Sequence, residues 1–185
     1  MQQTYELTVG KLKRTLPIIP ISKTTAIASF VLLGDAELAH YAAVQLAAKM
    51  PLPFDCIVTL ESKGIPLAEE LSRISGHPKF VVLRKSVKAY MVSPIQVAVS
   101  SITTTDQQKL VLDGTDADYL CGKRVILVDD VISTGGSLEA AERLLHQANA
   151  KVLAKCAVLA EGAAADRSDI LYLERLPLFQ LKEHC

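Results

Sequence analysis

Apolar and polar positions divide the chain into repeated strand–helix units. Residues 1–22 read as short extended segments, with Lys11, Lys13 and Arg14 punctuating the apolar positions. Leu16-Pro-Ile-Ile-Pro-Ile21 carries two prolines, whose missing N–H groups argue against a central strand there. Ile27 to Leu33 predicts a strand. Gly34-Asp35 then caps a helix over Ala36–Met50, with Leu38, Ala42, Leu46 and Met50 one turn apart and Pro51 and Pro53 closing it. Phe54 to Leu60 predicts a buried strand that runs into Glu61-Ser-Lys-Gly64. A helix follows, with Pro66 in its first turn, Leu67, Leu71 and Ile74 facing inward, and Gly76 as its stop. Lys79 to Leu83 predicts a third strand.

The segment from Ser86 to Leu120 alternates weakly (Ile95, Val97, Val99, then Leu110 to Leu112), which predicts a hairpin or a mobile flap. The most informative stretch comes next. Val125 to Val128 is a continuous, mostly β-branched run, the pattern of a parallel strand covered on both faces. It stops at the acids Asp129 and Asp130. The small, hydroxyl-rich turn Ser133-Thr-Gly-Gly-Ser137 follows, then a helix with Leu138, Ala141, Leu145 and Ala148 on its apolar face. Lys151 to Ala160 predicts another buried strand, ending at Glu161-Gly162, and Ile170 to Leu173 a short last one. The alternation predicts an α/β fold: an open, mostly parallel, twisted sheet flanked by helices, with right-handed crossovers.

Composition narrows the function classes. At 185 residues and 50% hydrophobic, the chain suits one domain over 1–185 with a sizeable core. Twenty basic and twenty acidic residues cancel, which argues against a nucleic-acid binder. No apolar run is long enough to cross a bilayer, and the N-terminus lacks the pattern of a signal peptide, so a cytoplasmic protein without a membrane partner is expected. Cys56, Cys121, Cys156 and Cys185 have no metal-ligand spacing; the first three read as reduced fillers in or beside apolar strands. His40, His77, His146 and His184 form no cluster and read as structural or surface residues. There is no serine nucleophile elbow, Walker sequence or dinucleotide glycine fingerprint.

The order strand, acids, glycine turn, helix makes a chemical statement. Gly135 and Gly136 let the backbone approach an anion closely, and the helix start offers free N–H groups and a positive dipole end. Ser133, Thr134 and Ser137 add hydroxyl donors. Asp129 and Asp130 would repel a phosphate, but they accept hydrogen bonds at the carboxyl end of a strand, where open α/β sheets bind ligands. A sugar phosphate satisfies both ends, and each charge-assisted bond to a sugar hydroxyl contributes ~1.5–3 kcal/mol. The bland alternative is a buried strand ending in an acidic loop; a receiver domain fits less well, because no paired acids stand near the chain start.

Val-Ile-Leu-Val-Asp-Asp-Val-Ile-Ser-Thr-Gly-Gly-Ser137 resembles the phosphoribosyl-pyrophosphate motif of the type I phosphoribosyltransferases. The resemblance implies that Asp129 and Asp130 hold the ribose hydroxyls and that Ser133, Thr134, Gly135, Gly136 and Ser137 cradle the 5-phosphate. It makes Glu61, Ser62, Lys63 and Gly64 a pyrophosphate loop, with a non-proline cis bond at Ser62–Lys63. On residue type alone, an ordinary turn with an exposed lysine is the better reading; beside the central motif, the pyrophosphate loop is. Arg84, Lys85 and Lys88 fall where the family has its basic flexible loop, with residues 85–115 as loop or hairpin; three charges there also suit a solvated loop. Ser133 stands where the hypoxanthine–guanine branch carries an aspartate, so the resemblance is closer to the adenine and xanthine branch. In that branch the N-terminal segment, here residues 1–33, forms a hood over the base. Glu161 sits near the base or is a strand-end surface acid. That branch also has a late Gly-Arg element, where this chain has Asp166-Arg167.

The implied reaction moves the 5-phosphoribosyl group from phosphoribosyl pyrophosphate to a purine-like nucleobase, releasing pyrophosphate. Asp129, Asp130 and Lys85 would be catalytic. Mg2+ would be carried by substrate oxygens and water rather than by direct protein ligands. Family members commonly pair as homodimers. The competing class is a regulatory protein that senses phosphoribosyl pyrophosphate or a nucleotide without turnover.

Overall fold

The computed structural model describes residues 3–99 and 108–181. Its centre is a five-stranded, all-parallel sheet. The strands are β4 (Cys56–Leu60), β5 (Phe80–Leu83), β8 (Arg124–Ile132), β9 (Lys151–Glu161) and β10 (Ile170–Leu176), in the order β10-β9-β8-β4-β5. Consecutive residues serve different cores. Ile57, Ile126 and Val128 pack on one face with helices α1 (Ala36–Ala47) and α2 (Ile65–Ile74). Cys56, Val58, Val125 and Leu127 pack on the other with α3 (Gly114–Leu120) and α4 (Gly136–Gln147). Two buried faces require uninterrupted apolar runs, which is why the strands are so legible. Asp35 caps α1 as expected, accepting from the Leu38 N–H at 3.1 Å. Ile74, expected inward, is 37% exposed, because only Leu67, Ala68 and Leu71 of α2 reach the core.

A second, antiparallel sheet is built from β1 (Thr4–Val9), β2 (Leu12–Pro20), β3 (Thr25–Ala28) and β11 (Leu178–Gln180), in the order β1-β2-β3-β11. The expectation that two prolines forbid a central strand fails here. β2 pairs with β1 through residues 12–17 and with β3 through residues 18–20, so it changes partner at the prolines. Pro17 still accepts from the Ser29 N–H at 2.8 Å, and its missing donor does not end the pairing, since the Ile18 N–H reaches the Gln3 carbonyl at 2.9 Å. The strand expected over Ile27–Leu33 stops at Ala28.

The segment expected as hairpin or flap contains the antiparallel pair β6 (Ile95–Ala98) and β7 (Lys109–Leu112), which packs against α4; Arg143 donates to the Ala98 carbonyl at 2.8 Å. The part of that segment at residues 100–107 lies outside the described residues, as do His184 and Cys185. α3 has no apolar stripe to reveal it, since Leu120 is its one buried residue. Cys56 and Cys156 are buried fillers whose thiols burial pushes up to about 11 and about 12. Cys121, expected to be the same, is exposed. No helix of the described residues is long and apolar enough to cross a membrane.

Candidate active site at the carboxyl edge of the sheet

From β4 the chain proceeds through α2 on one face to β5; from β8 it proceeds through α4 on the other face to β9. The carboxyl ends of the neighbours β4 and β8 therefore flank a topological switch point, where a crevice opens. The loop 61–64, the acids, the turn 133–137 and Glu161 all lie along this edge.

The strand does not stop at the acids. β9 is long enough to pair with β8 as far as Ile132↔Ala160, so Asp129 and Asp130 sit within an extended strand. Their surroundings differ. Asp129 lines a cavity of about 130 Å3 together with Ser133, Thr134, Gly135 and Ser137. Asp130 is not in its lining; it is 5% exposed, and its Oδ2 is buried without a hydrogen-bond partner. Asp129 Oδ1 accepts from the Asp130 N–H and Asp130 Oδ1 from the Val131 N–H, each at 2.9 Å. Burial raises the pKa of both acids above the usual carboxylate range. For Asp129 the neighbouring Asp130 charge adds to the rise; for Asp130 the Lys63 charge opposes it.

Gly135 has φ +88°, a left-handed conformation that strongly favours glycine. A Cβ there would also lie 2.6 Å from Arg167 Nη1, so this guanidinium stands against the turn. Nε and Nη2 of the same arginine grip Asp169 at 2.9 and 2.8 Å. Gly135 is the cap of α4 and has no side chain to satisfy the first N–H groups of the helix, while Gly136 opens it. The turn is therefore a ready anion site. Thr134 and Ser137 are exposed beside it. Ser133 differs from the expectation: its Oγ donates to Glu161 Oε2 at 2.7 Å, so its proton is directed away from the cradle.

The loop after β4 touches the acid. A Cβ on Gly64 would lie 2.4 Å from Thr59 Oγ1, 3.0 Å from Asp129 Oδ1 and 3.1 Å from Asp129 Cα. The cis bond expected at Ser62–Lys63 is one residue earlier, at Glu61–Ser62. Ser62 and Lys63 are exposed. Glu61 is occupied by the basic loop: it accepts from the Lys85 N–H at 2.8 Å and pairs with Arg84 at 3.1 Å. The Lys85 N–H, and then Arg84, hold its carboxyl below its ordinary range. It is a strut joining two loops rather than a free ligand. Arg84 also donates to the Tyr90 hydroxyl at 3.1 Å, and Lys88 Nζ to Ser86 Oγ at 2.7 Å; the Lys85 side chain is exposed. No cluster of three His, Cys, Asp or Glu side chains suited to a metal occurs among the described residues.

Sequence reading missed Thr59, whose buried hydroxyl donates to the Val128 carbonyl at 2.9 Å, and the contact of Arg167 with the turn. It also missed Leu178, whose Cδ1 lies 2.8 Å from where a Gly162 Cβ would be. Thr59 and Leu178 match no motif, and all three contacts exist only once distant segments meet.

A phosphoribosyl transferase domain matches residues 36–175 of the chain. The hypoxanthine/guanine phosphoribosyltransferase of Methanothrix thermoacetophila is 39% identical over 116 residues, 63% of this chain and 57% of that one. The adenine phosphoribosyltransferase of Chelativorans sp. is 34% identical over 164 residues, 86% and 85% of the two chains. The matched part of this chain spans little more than half the length of the first curated relatives, 57% and 54% for two of them. Among solved structures, that of the adenine enzyme from Giardia lamblia complexed with 9-deazaadenine superposes with a TM-score of 0.65 over 93% of both chains at 20% identity, a likeness of fold. The Saccharomyces cerevisiae adenine phosphoribosyltransferase, complexed with an imino-altritol bisphosphate and adenine, has a TM-score of 0.58 at 25% identity over 75% of each chain.

Proposed function

The chain belongs to the phosphoribosyl transferase domain family, and on that premise we propose that it transfers the 5-phosphoribosyl group of phosphoribosyl pyrophosphate to a purine base of the adenine or xanthine type, in nucleotide salvage. The observation that carries this reading is the cradle: the Asp129 side chain and an uncapped glycine turn line the same cavity, so a hydroxyl acceptor and an anion site share one space.

In this reading Asp129 binds the ribose, and the turn 134–137 holds the 5-phosphate. Lys63 and the loop of Arg84, Lys85 and Lys88 receive the pyrophosphate. As the bond from the anomeric carbon to pyrophosphate lengthens, the ring gains positive charge and the leaving group negative charge. The acceptor oxygens of Asp129 favour the former and the basic side chains the latter. Asp130 lies beneath, its Oδ1 holding the Val131 N–H at 2.9 Å. Mg2+ fits the side of the cavity lined by Asp129, which has no salt bridge among the described residues. Such an ion, held by substrate oxygens with Asp129 nearby, would neutralise pyrophosphate charge. The small antiparallel sheet serves as the hood over the base. Pairing as a homodimer belongs to the same reading, and sedimentation of the purified chain tests it.

The test is pyrophosphate release with adenine, xanthine, guanine and hypoxanthine, alongside calorimetric binding of the donor. The native chain should turn over at least one base, and Asp129→Asn should abolish donor binding with the fold retained. Absence of turnover with every base, or undiminished donor binding by the variant, overturns the reading.

A further inference from the structure

Helix α4 serves two hollows. Its first residues form the cradle beside Asp129; its last turns, with the start of β9, line a second cavity of about 730 Å3. The helix is about 18 Å long at 1.5 Å per residue, and no residue lines both spaces. The second volume lies within the ~300–1,000 Å3 of small-ligand sites. Charge decides what it can hold. Glu142 is its one acid, and that acid is neutralised from behind: Lys155 holds it at 3.1 Å and Asp169 at 2.6 Å, and Arg167 pairs with the same Asp169 at 2.8 Å, so two acids and two bases cancel. Arg143 and Lys151 also line the cavity, are exposed, and have no carboxylate partner among the described residues. Arg143 is fixed instead by the Ala98 carbonyl, which accepts from its Nη2 at 2.8 Å and leaves Nε and Nη1 for a ligand. The carboxyl end of the helix opposes an anion with about half a negative charge, and two full positive charges outweigh it. His146 and Gln147 add an imidazole and an amide, and the half-buried Val152 adds apolar surface.

We infer that this cavity is a second binding site, separate from the candidate active site, for an organic phosphate of nucleotide size. Its phosphates pair with Arg143 and Lys151, the guanidinium supplying the planar fork that matches phosphate oxygens. Its ring lies against Val152, with the Gln147 amide and the His146 ring at its polar edge. Each half of such a ligand is needed. An inorganic anion matches the two charges but leaves Val152 wet and most of the space to water. An uncharged nucleoside covers Val152 but leaves both cations unmatched. The site does not depend on the function proposed above, because it is built from other residues and its readout is binding.

The test titrates the full chain with ATP and follows the histidine ring C–H signals by NMR, with His146→Gln identifying the one that reports on the cavity. The His146 signal should follow a saturating curve while those of His40 and His77 stay in place. The double variant Arg143→Ala, Lys151→Ala should raise the Kd read at that signal by about tenfold or more, since two charge-assisted contacts are lost. Both side chains are exposed, so its Tm should match that of the native chain. Lys151→Ala alone, which leaves the Arg143 anchor on Ala98 intact, should weaken binding in the same direction. Adenosine and tripolyphosphate should each bind at least about tenfold more weakly than ATP at this signal. A His146 signal unmoved at about 5 mM ATP, well above a weak ~1 mM Kd, overturns the inference. So does an unchanged Kd in the double variant, or tripolyphosphate binding as tightly as ATP. ATP held at the cradle alone gives the unmoved signal, whereas a chain that turns over no base leaves this readout intact and sinks only the proposed function.

Discussion

Gly64→Ala isolates the contact on which the site is assembled. The backbone gives no reason for glycine: φ is −75° and ψ −12°, ordinary helical values. Considered locally, alanine there should even stabilise by ~0.4–1 kcal/mol through a less flexible unfolded chain. The neighbours decide otherwise. The added methyl would lie 2.4 Å from Thr59 Oγ1, which cannot swing aside freely because it is fully buried and bonded to the Val128 carbonyl at 2.9 Å. It would also press on Asp129 at Oδ1 and at the backbone. Overpacking of this kind costs ~1–3 kcal/mol. Net of the gain, a loss of about 1.3 kcal/mol is expected, or roughly 3–5 °C in Tm for a chain of this size. Because relief must come by moving loop or acid, kcat/KM for the donor should fall about 100-fold. Thr59→Ala removes the closest atom, so the double variant should recover about 1 kcal/mol relative to additivity. It should not recover activity, since the Asp129 contacts at 3.0 and 3.1 Å persist. Thermal unfolding and pyrophosphate release measure the two effects. A Gly64→Ala chain with native Tm and native turnover would refute the close approach.

Two further outcomes follow from the charges. In the folded chain Asp129 and Asp130 hold their protons to higher pH than in the unfolded chain, so their contribution to stability declines as pH rises from the ordinary carboxylate range toward the raised folded values. The double variant Asp129→Asn, Asp130→Asn should therefore be more stable than the native chain at pH 8, by ~1–3 kcal/mol, with the gap closing toward pH 4; urea unfolding across that range checks it, and a variant less stable at pH 8 contradicts it. Glu61→Gln releases Arg84 and loosens the Lys85 loop. A half-buried pair of this sort contributes little more than the ~0.2–1 kcal/mol of an exposed one, so Tm should move only slightly, while the KM for pyrophosphate in the reverse reaction should rise about three- to tenfold through lost preorganisation of the loop; an unchanged KM removes the strut role.

The central sheet, and the edge at which the candidate site stands, are legible in the residues alone. Runs such as Val125–Val128 and Phe54–Leu60 can be buried on both faces only in a covered parallel sheet, and a glycine turn after a strand admits an anion whatever surrounds it. These are local facts of periodicity and backbone freedom. The remaining features depend on which distant segments meet. The partner change of β2 makes room for prolines that pattern alone rules out, and α3 forms with a single buried side chain to announce it. Asp129 and Asp130, adjacent and identical in sequence, become a cavity wall and a buried acid whose Oδ2 has no hydrogen-bond partner. Ser133 turns from phosphate donor to partner of Glu161 only because β9 runs beside β8 to its end. Hydrogen-bond direction and burial belong to pairs of groups distant in the chain, so no stretch of residues read alone contains them.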